Sequence, residues 1–122
     1  MANIRANGLG RYGENLAAEH LAALGLCVVD RNWRCSLGEI DIVAFDAQAG
    51  VIVFCEVKTR SSTAFGLPVE AVDRRKARQL RRLAVAWLEA HPHPRCGVRF
   101  DVVGVLRPRT GAATVCHLTG VL

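Results

Sequence analysis

The sequence predicts an α/β domain, one layer of about five strands with two helices packed on it. Three observations lead there. Short runs rich in Val, Ile and Phe recur at residues 27–30, 38–44, 53–60, 99–106 and 113–118, the composition of strands. Two longer stretches, about 11–24 and 69–90, carry apolar residues at the period of a helix. The 122 residues suffice for one hydrophobic core and are too few for two. With 51% hydrophobic and 22% charged residues, the chain has the make-up of a soluble globular protein and not of a disordered one.

Taken in order, residues 1–9 mix Asn, Gly and Arg without periodicity and read as a flexible N-terminal arm, leaving 10–122 as the single domain. The first helix starts near Arg11 and is closed by Gly25. On a helical wheel Glu14 falls at the centre of the arc holding Ala17, Ala18 and Leu21. An acid in a core-facing stripe is unfavourable unless something pairs with it. Alternatively Glu14 sits in the first turn, favourable to the helix dipole and wet.

Residues 27–30 form a short strand, and Asn32-Trp33-Arg34 leads into a hairpin of 38–44 and 53–60. Ala47-Gln48-Ala49-Gly50 holds no strand former and serves as its loop. A symmetric loop pairs Asp46 with Val51, and counting back sets Asp41 opposite Glu56. Directly opposed residues have Cβ atoms about 4.5–5.5 Å apart. Lys58 follows Glu56 by two, on the same face, and lies diagonal to Asp41. In one reading Lys58 pairs with Glu39 and the acids face water. In the sharper one the two carboxylates form a divalent-metal site, because their flanks are too apolar for a solvated strand.

A loop ended by Pro68 precedes the long helix 69–90, which Pro92 and Pro94 stop. Arg74, Arg75, Arg78, Arg81 and Arg82 share one arc of it; Val69, Val72, Leu80, Leu83 and Trp87 share the opposite one. Five like charges repel, and a phosphate backbone would resolve the repulsion. Lys76 lies within the apolar arc, where it snorkels out, points at the hairpin acids or meets a phosphate. Strands at 99–106 and 113–118 complete the layer, with Pro108 and Gly111 turning between them. Asp101 caps, pairs with an arginine or lies near the site.

The net charge of +5 points to a polyanionic partner. No apolar run reaches the roughly 20 residues that span a bilayer, and the polar start is unlike a signal peptide. The five cysteines are odd in number and form no Cys-x-x-Cys pair, which argues against a disulfide framework and against a zinc knuckle. Cys27 and Cys55 read as small buried hydrophobes, and the expected compartment is the cytoplasm. His91 and His93 flank Pro92 in what reads as a solvated turn more than a metal site. Only Lys58 and Lys76 among sixteen basic residues are lysine, marking positions that need a compact, adjustable ammonium. No Gly-rich phosphate loop or Ser-His-Asp arrangement is present.

Asp41 followed by Glu56-Val57-Lys58 resembles the PD-(D/E)XK nuclease superfamily, which includes archaeal Holliday junction resolvases and many restriction endonucleases. More narrowly, Gly10-Arg11-Tyr12-Gly13-Glu14, Gly38-Glu39-Ile40-Asp41, Phe54-Cys55-Glu56-Val57-Lys58-Thr59-Arg60 and Arg99-Phe100-Asp101-Val102-Val103 look like the YraN-like bacterial family, an uncharacterised, endonuclease-like group. The match runs from about Gly10 to Leu118. It departs from the superfamily at Ile40, where a Pro precedes the Asp. The resemblance implies a restriction-endonuclease-like core with a mixed central sheet. It implies Asp41, Glu56 and the Val57 carbonyl as ligands of Mg²⁺ or Mn²⁺, with Glu14 assisting, and Lys58 orienting or activating the attacking water. Phosphodiester hydrolysis asks for such groups, since it needs phosphate charge neutralised and a water made nucleophilic.

The function expected from the residues and the resemblance together is metal-dependent cleavage of DNA, at branched or otherwise non-duplex structures. The alternatives are a non-catalytic nucleic-acid-binding module in DNA repair or processing, and a scaffold whose arginine face meets an acidic protein. Arg11, Arg34, Arg60, Arg74, Arg75, Lys76, Arg78, Arg81 and Arg82 are the expected nucleic-acid contacts. DNA is the expected partner, with RNA second, no membrane, and a homodimer left open.

Overall fold

In the structure, a computed structural model, residues 4–64 and 66–121 are described, without the side chains of residues 4–7, 70 and 71. The order is α1 (Ile4–Ala23), β1 (Cys27–Cys35), β2 (Gly38–Asp46), β3 (Val51–Arg60), a 3-10 turn (Pro68–Ala71), α2 (Arg74–Ala90), β4 (Gly97–Leu106) and β5 (Thr114–Leu118). The five strands form one mixed sheet in sequence order, antiparallel except for the β3–β4 pair, which α2 connects. The parallel pair needs a crossover of a dozen residues or more, and the long helix supplies it. No helix among the described residues is long and apolar enough to cross a membrane.

Each face of the sheet has its own core. On the α1 side Ala17 and Leu21 meet Ile42, Ala44, Val53 and Val103. On the α2 side Leu80, Leu83 and Trp87 meet Val43, Ile52 and Phe54. The central strands β2 and β3 are therefore buried on both faces, which explains their near-continuous apolar runs. The hairpin between them has the expected register, Asp46 facing Val51. Its four-residue loop is closed by Gly50 N–H donating to the Asp46 carbonyl at 2.8 Å, with Gly50 at φ +69.

Four boundaries and environments differ from expectation. The predicted arm at 1–9 is helical from Ile4 onward, while residues 1–3 lie outside the described ones. Gly8, Gly10 and Gly13 lower helix propensity by about 1 kcal/mol each, and of the three only Gly13 packs closely on the sheet, against Thr59 of β3. Helix α2 begins at Arg74 instead of Val69, because the Asp73 carboxylate accepts the Lys76 N–H at 3.0 Å and caps it. Val69 accordingly packs over Gly104 of β4, where an added Cβ would lie 2.7 Å from its Cγ1. Strand β1 runs on to Cys35 through a bulge between Val28 and Asp30 and through Asn32, at φ +53. Cys27, expected to be buried, is exposed at the start of this edge strand; Cys55 in the centre is buried.

Asp101 has a structural role. It is fully buried and accepts from Arg99 Nε at 3.0 Å, His117 Nε2 at 2.8 Å and the Gly120 N–H at 3.0 Å. Arg99 also donates to Asp46 at 3.0 Å, so one node ties β4, β5 and the hairpin loop together.

Helix α1 comes close to the sheet at Gly13, where a Cβ would lie 1.8 Å from Thr59 Oγ1, whereas Gly8 has nothing within 4 Å. Gly13→Ala should lower stability by about 1–3 kcal/mol through overpacking. Gly8→Ala should raise it by about 0.5–1 kcal/mol, the helix-propensity gain alone. Urea denaturation of both variants checks this, and equal midpoints would contradict it.

Candidate functional site

In β2, strand alternation fails at one residue. Ile40 belongs to the α2 core and Ile42 to the α1 core, although residues two apart share a face in a regular strand. Between them stands Asp41. The β2–β3 ladder runs from Asp46–Val51 to Ile42–Cys55 and ends one pair short of Asp41 and Glu56. Asp41 therefore does not face Glu56 as a regular ladder pair, the arrangement expected from counting. Instead its Oδ2 accepts the Val57 N–H at 2.8 Å, so a side chain takes a place that a backbone carbonyl holds elsewhere in the ladder.

Where the strands part, acids gather. Glu14 from α1 and Glu39 and Asp41 from β2 each bring a carboxylate oxygen within 4.8 Å of the others. They line a cleft with Gly10, Arg11, Arg31, Asn32 and Arg34. Arg34 Nε lies 3.0 Å from Glu39 Oε2, and the Asn32 amide hydrogen-bonds Glu14. Glu56 is buried nearby on β3, its Oε1 3.3 Å from Lys58 Nζ and 3.7 Å from Lys76 Nζ. Lys58 thus pairs with Glu56 and not with Glu39.

Burial pushes the Asp41 carboxyl up to about 7, helped by repulsion from Glu56 and, more weakly, from Glu14 and Glu39, against the lowering effect of the Val57 N–H. Burial also raises Glu14, with repulsion from Glu39 and Glu56 adding to it and the Asn32 hydrogen bond opposing. The donor set consists of carboxylate oxygens, the hard ligands that suit Mg²⁺ or Mn²⁺. A divalent cation among them would relieve the repulsion that raises Asp41. The residues fit such an ion.

Of the expected site residues, Asp41 and Glu14 come together, with Glu56, Val57 and Lys58 beside them. From the sequence, Glu39 reads only as a partner for Lys58. Its position two residues before Asp41, on the same side of a strand, was the available signal. Among the expected nucleic-acid contacts, Arg11 and Arg34 line the acid cleft, and Arg60 lines a groove beside it with Glu14 and Lys58. Arg74, Arg75, Arg78, Arg81 and Arg82 are all exposed on α2, and Lys76 turns towards Glu56. His91 is not a freely solvated turn residue: its ring stacks on Trp87 with centroids 4.2 Å apart.

A model of the uncharacterised protein family UPF0102 matches residues 13–105. A UPF0102 protein of Streptomyces griseus is 58% identical over 114 residues, covering 93% of this chain and 94% of its own length. One from Frankia casuarinae is 54% identical, covering 93% and 95%. Another from Mycolicibacterium smegmatis is 49% identical, covering 99% and 98%.

The raised Asp41 has a consequence for stability. Folded, it holds its proton up to about pH 7; unfolded, it releases it near pH 4. Its contribution is complete below the unfolded value and is lost as pH rises through about 7. In chelator, the melting temperature of the wild type should fall relative to that of Asp41→Asn between about pH 4 and 7. Melting curves across that range check it, and a constant difference would contradict it.

Proposed function

The chain belongs to the uncharacterised protein family UPF0102, and we propose that it hydrolyses phosphodiester bonds in DNA with Mg²⁺ or Mn²⁺ as cofactor. The observation that carries this reading is the convergence of Glu14, Glu39 and Asp41 where β2 and β3 part, with Glu56 and Lys58 beside them. The resemblance of Asp41…Glu56-Val57-Lys58 to the PD-(D/E)XK nucleases, on an α/β core with this element order, supports it.

When bound, the cation supplies charge neutralisation at the nonbridging phosphate oxygens and a more acidic water. Glu14, Glu39, Asp41 and Glu56 are the carboxylates that would hold it. The Val57 N–H fixes Asp41, leaving Asp41 Oδ1 for the cleft. Lys58, its ammonium held by Glu56, orients the attacking water and stabilises negative charge as it develops. Arg11 and Arg31 at the cleft draw the phosphate in, and the exposed arginines of α2 hold the flanking backbone.

That arginine face also favours a second reading, a nucleic-acid-binding module without hydrolysis, since phosphate contacts alone give affinity. Incubation with single-stranded, duplex, flapped and four-way-junction DNA and with RNA, with and without Mn²⁺, separates the two. The nuclease reading expects Mn²⁺-dependent cleavage of at least one DNA, strongest on the branched or single-stranded forms. Asp41→Ala, Glu56→Ala and Lys58→Ala should each lose about 100-fold or more in rate and keep most of their DNA affinity. Absence of cleavage on every substrate, or an Asp41→Ala protein as fast as wild type, would refute it.

A further inference from the structure

Both lysines of the chain lie on the same oxygen of Glu56. Lys58 comes from the same strand, at 3.3 Å; Lys76 comes from α2, at 3.7 Å. Every other basic side chain is an arginine, so the two compact ammonium groups have been placed around one carboxylate. They are held differently. The Lys58 side chain is 22% exposed, whereas that of Lys76 is 45% exposed and hangs from the first turn of a helix whose next exposed basic residues are Arg74, Arg75 and Arg78. A flexible lysine stem with nearly half its surface in water can leave its partner with less loss of packing than the more covered Lys58.

Glu56 cannot keep two ammonium groups and also share its oxygens with a divalent cation without crowding like charges. Of the two, Lys76 is the one free to move, and the arginines around it mark the direction in which phosphates would lie. We propose that Lys76 is a positioning residue with two alternative partners. It sits on Glu56 in the cation-free protein and on a phosphate of the nucleic acid once a divalent cation shares Glu56. The proposal rests on reading the site as a cation-dependent phosphodiesterase and adds a coupling to it. Cation loading frees one ammonium for the nucleic acid, and by reciprocity the nucleic acid tightens the cation.

The test uses wild type, Lys76→Gln, Lys76→Arg and Arg78→Ala. Calorimetric titration with Mn²⁺ alone gives cation affinity. Binding of a single-stranded oligonucleotide over a range of salt, in chelator and in Ca²⁺, gives the number of phosphate contacts. Lys76→Gln should bind Mn²⁺ about two- to fivefold more tightly than wild type, the gain expected from removing one partly exposed competing charge. Its plot of log K against log salt should match wild type in chelator and be flatter by about 0.7–0.9 in Ca²⁺. Arg78→Ala should flatten the plot in both conditions, and Lys76→Arg should keep the wild-type slope in Ca²⁺. An unchanged Mn²⁺ affinity for Lys76→Gln, or an equal change of slope in chelator and in Ca²⁺, overturns the coupling alone. A wild type that binds no Mn²⁺ or no oligonucleotide overturns it together with the reading beneath it.

Discussion

The hydrogen bond from the Val57 N–H to the Asp41 carboxylate is the constraint on which the site depends. A buried backbone N–H must find an acceptor. In β2 and β3 the acceptors are ladder carbonyls up to Ile42 and Cys55, and beyond them the acceptor is a side chain. That exchange lets the strands part while keeping Val57 satisfied. It also lets Ile40 and Ile42 fill opposite cores, so the break in alternation leaves no apolar side chain stranded. Glu39 and Glu14 then meet Asp41 in the gap.

Two aspartates of the sheet, Asp101 fully buried and Asp41 half-buried, have surroundings that differ in kind. Asp101 is encircled by donors from Arg99, His117 and Gly120. Asp41 receives one N–H, and burial, with repulsion from Glu56, Glu14 and Glu39, holds its carboxyl up to about 7. The first pattern stabilises a fold, because each lone pair finds a partner. The second destabilises it in the absence of a cation, as the proposed cation site requires. The two cores and the Asp101 node offset that repulsion.

Much of this was legible in the residues. The hairpin register followed from the loop and the apolar runs, and Asp46 does face Val51. Glu14 was visible as an acid in an apolar helical arc, and it is half-buried in the cleft. Where the reading failed, a local rule was overridden by contact or capping. Gly8 and Gly10 hid the first turns of α1, since low propensity reads as an arm although the helix begins at Ile4. The Asp73 cap fell inside an apolar period and so passed unnoticed. Cys27 looked buried by composition, yet it opens an edge strand where coverage ends. Glu39 was missed because regular pairing was carried past the point where the ladder stops.

The central claim is that the acids around Asp41 bind a divalent cation, and thermal melting under Mn²⁺ titration tests it without any substrate. Binding to the native state alone adds about 2.7 kcal/mol at a hundred times the dissociation constant, enough to raise the melting temperature of a chain this size by several degrees. The account predicts that rise for the wild type and its near-complete loss in Asp41→Asn and Glu56→Gln, with Asp41→Asn melting no lower than wild type in chelator at neutral pH. A wild type indifferent to millimolar Mn²⁺, or variants that keep the full shift, would contradict it.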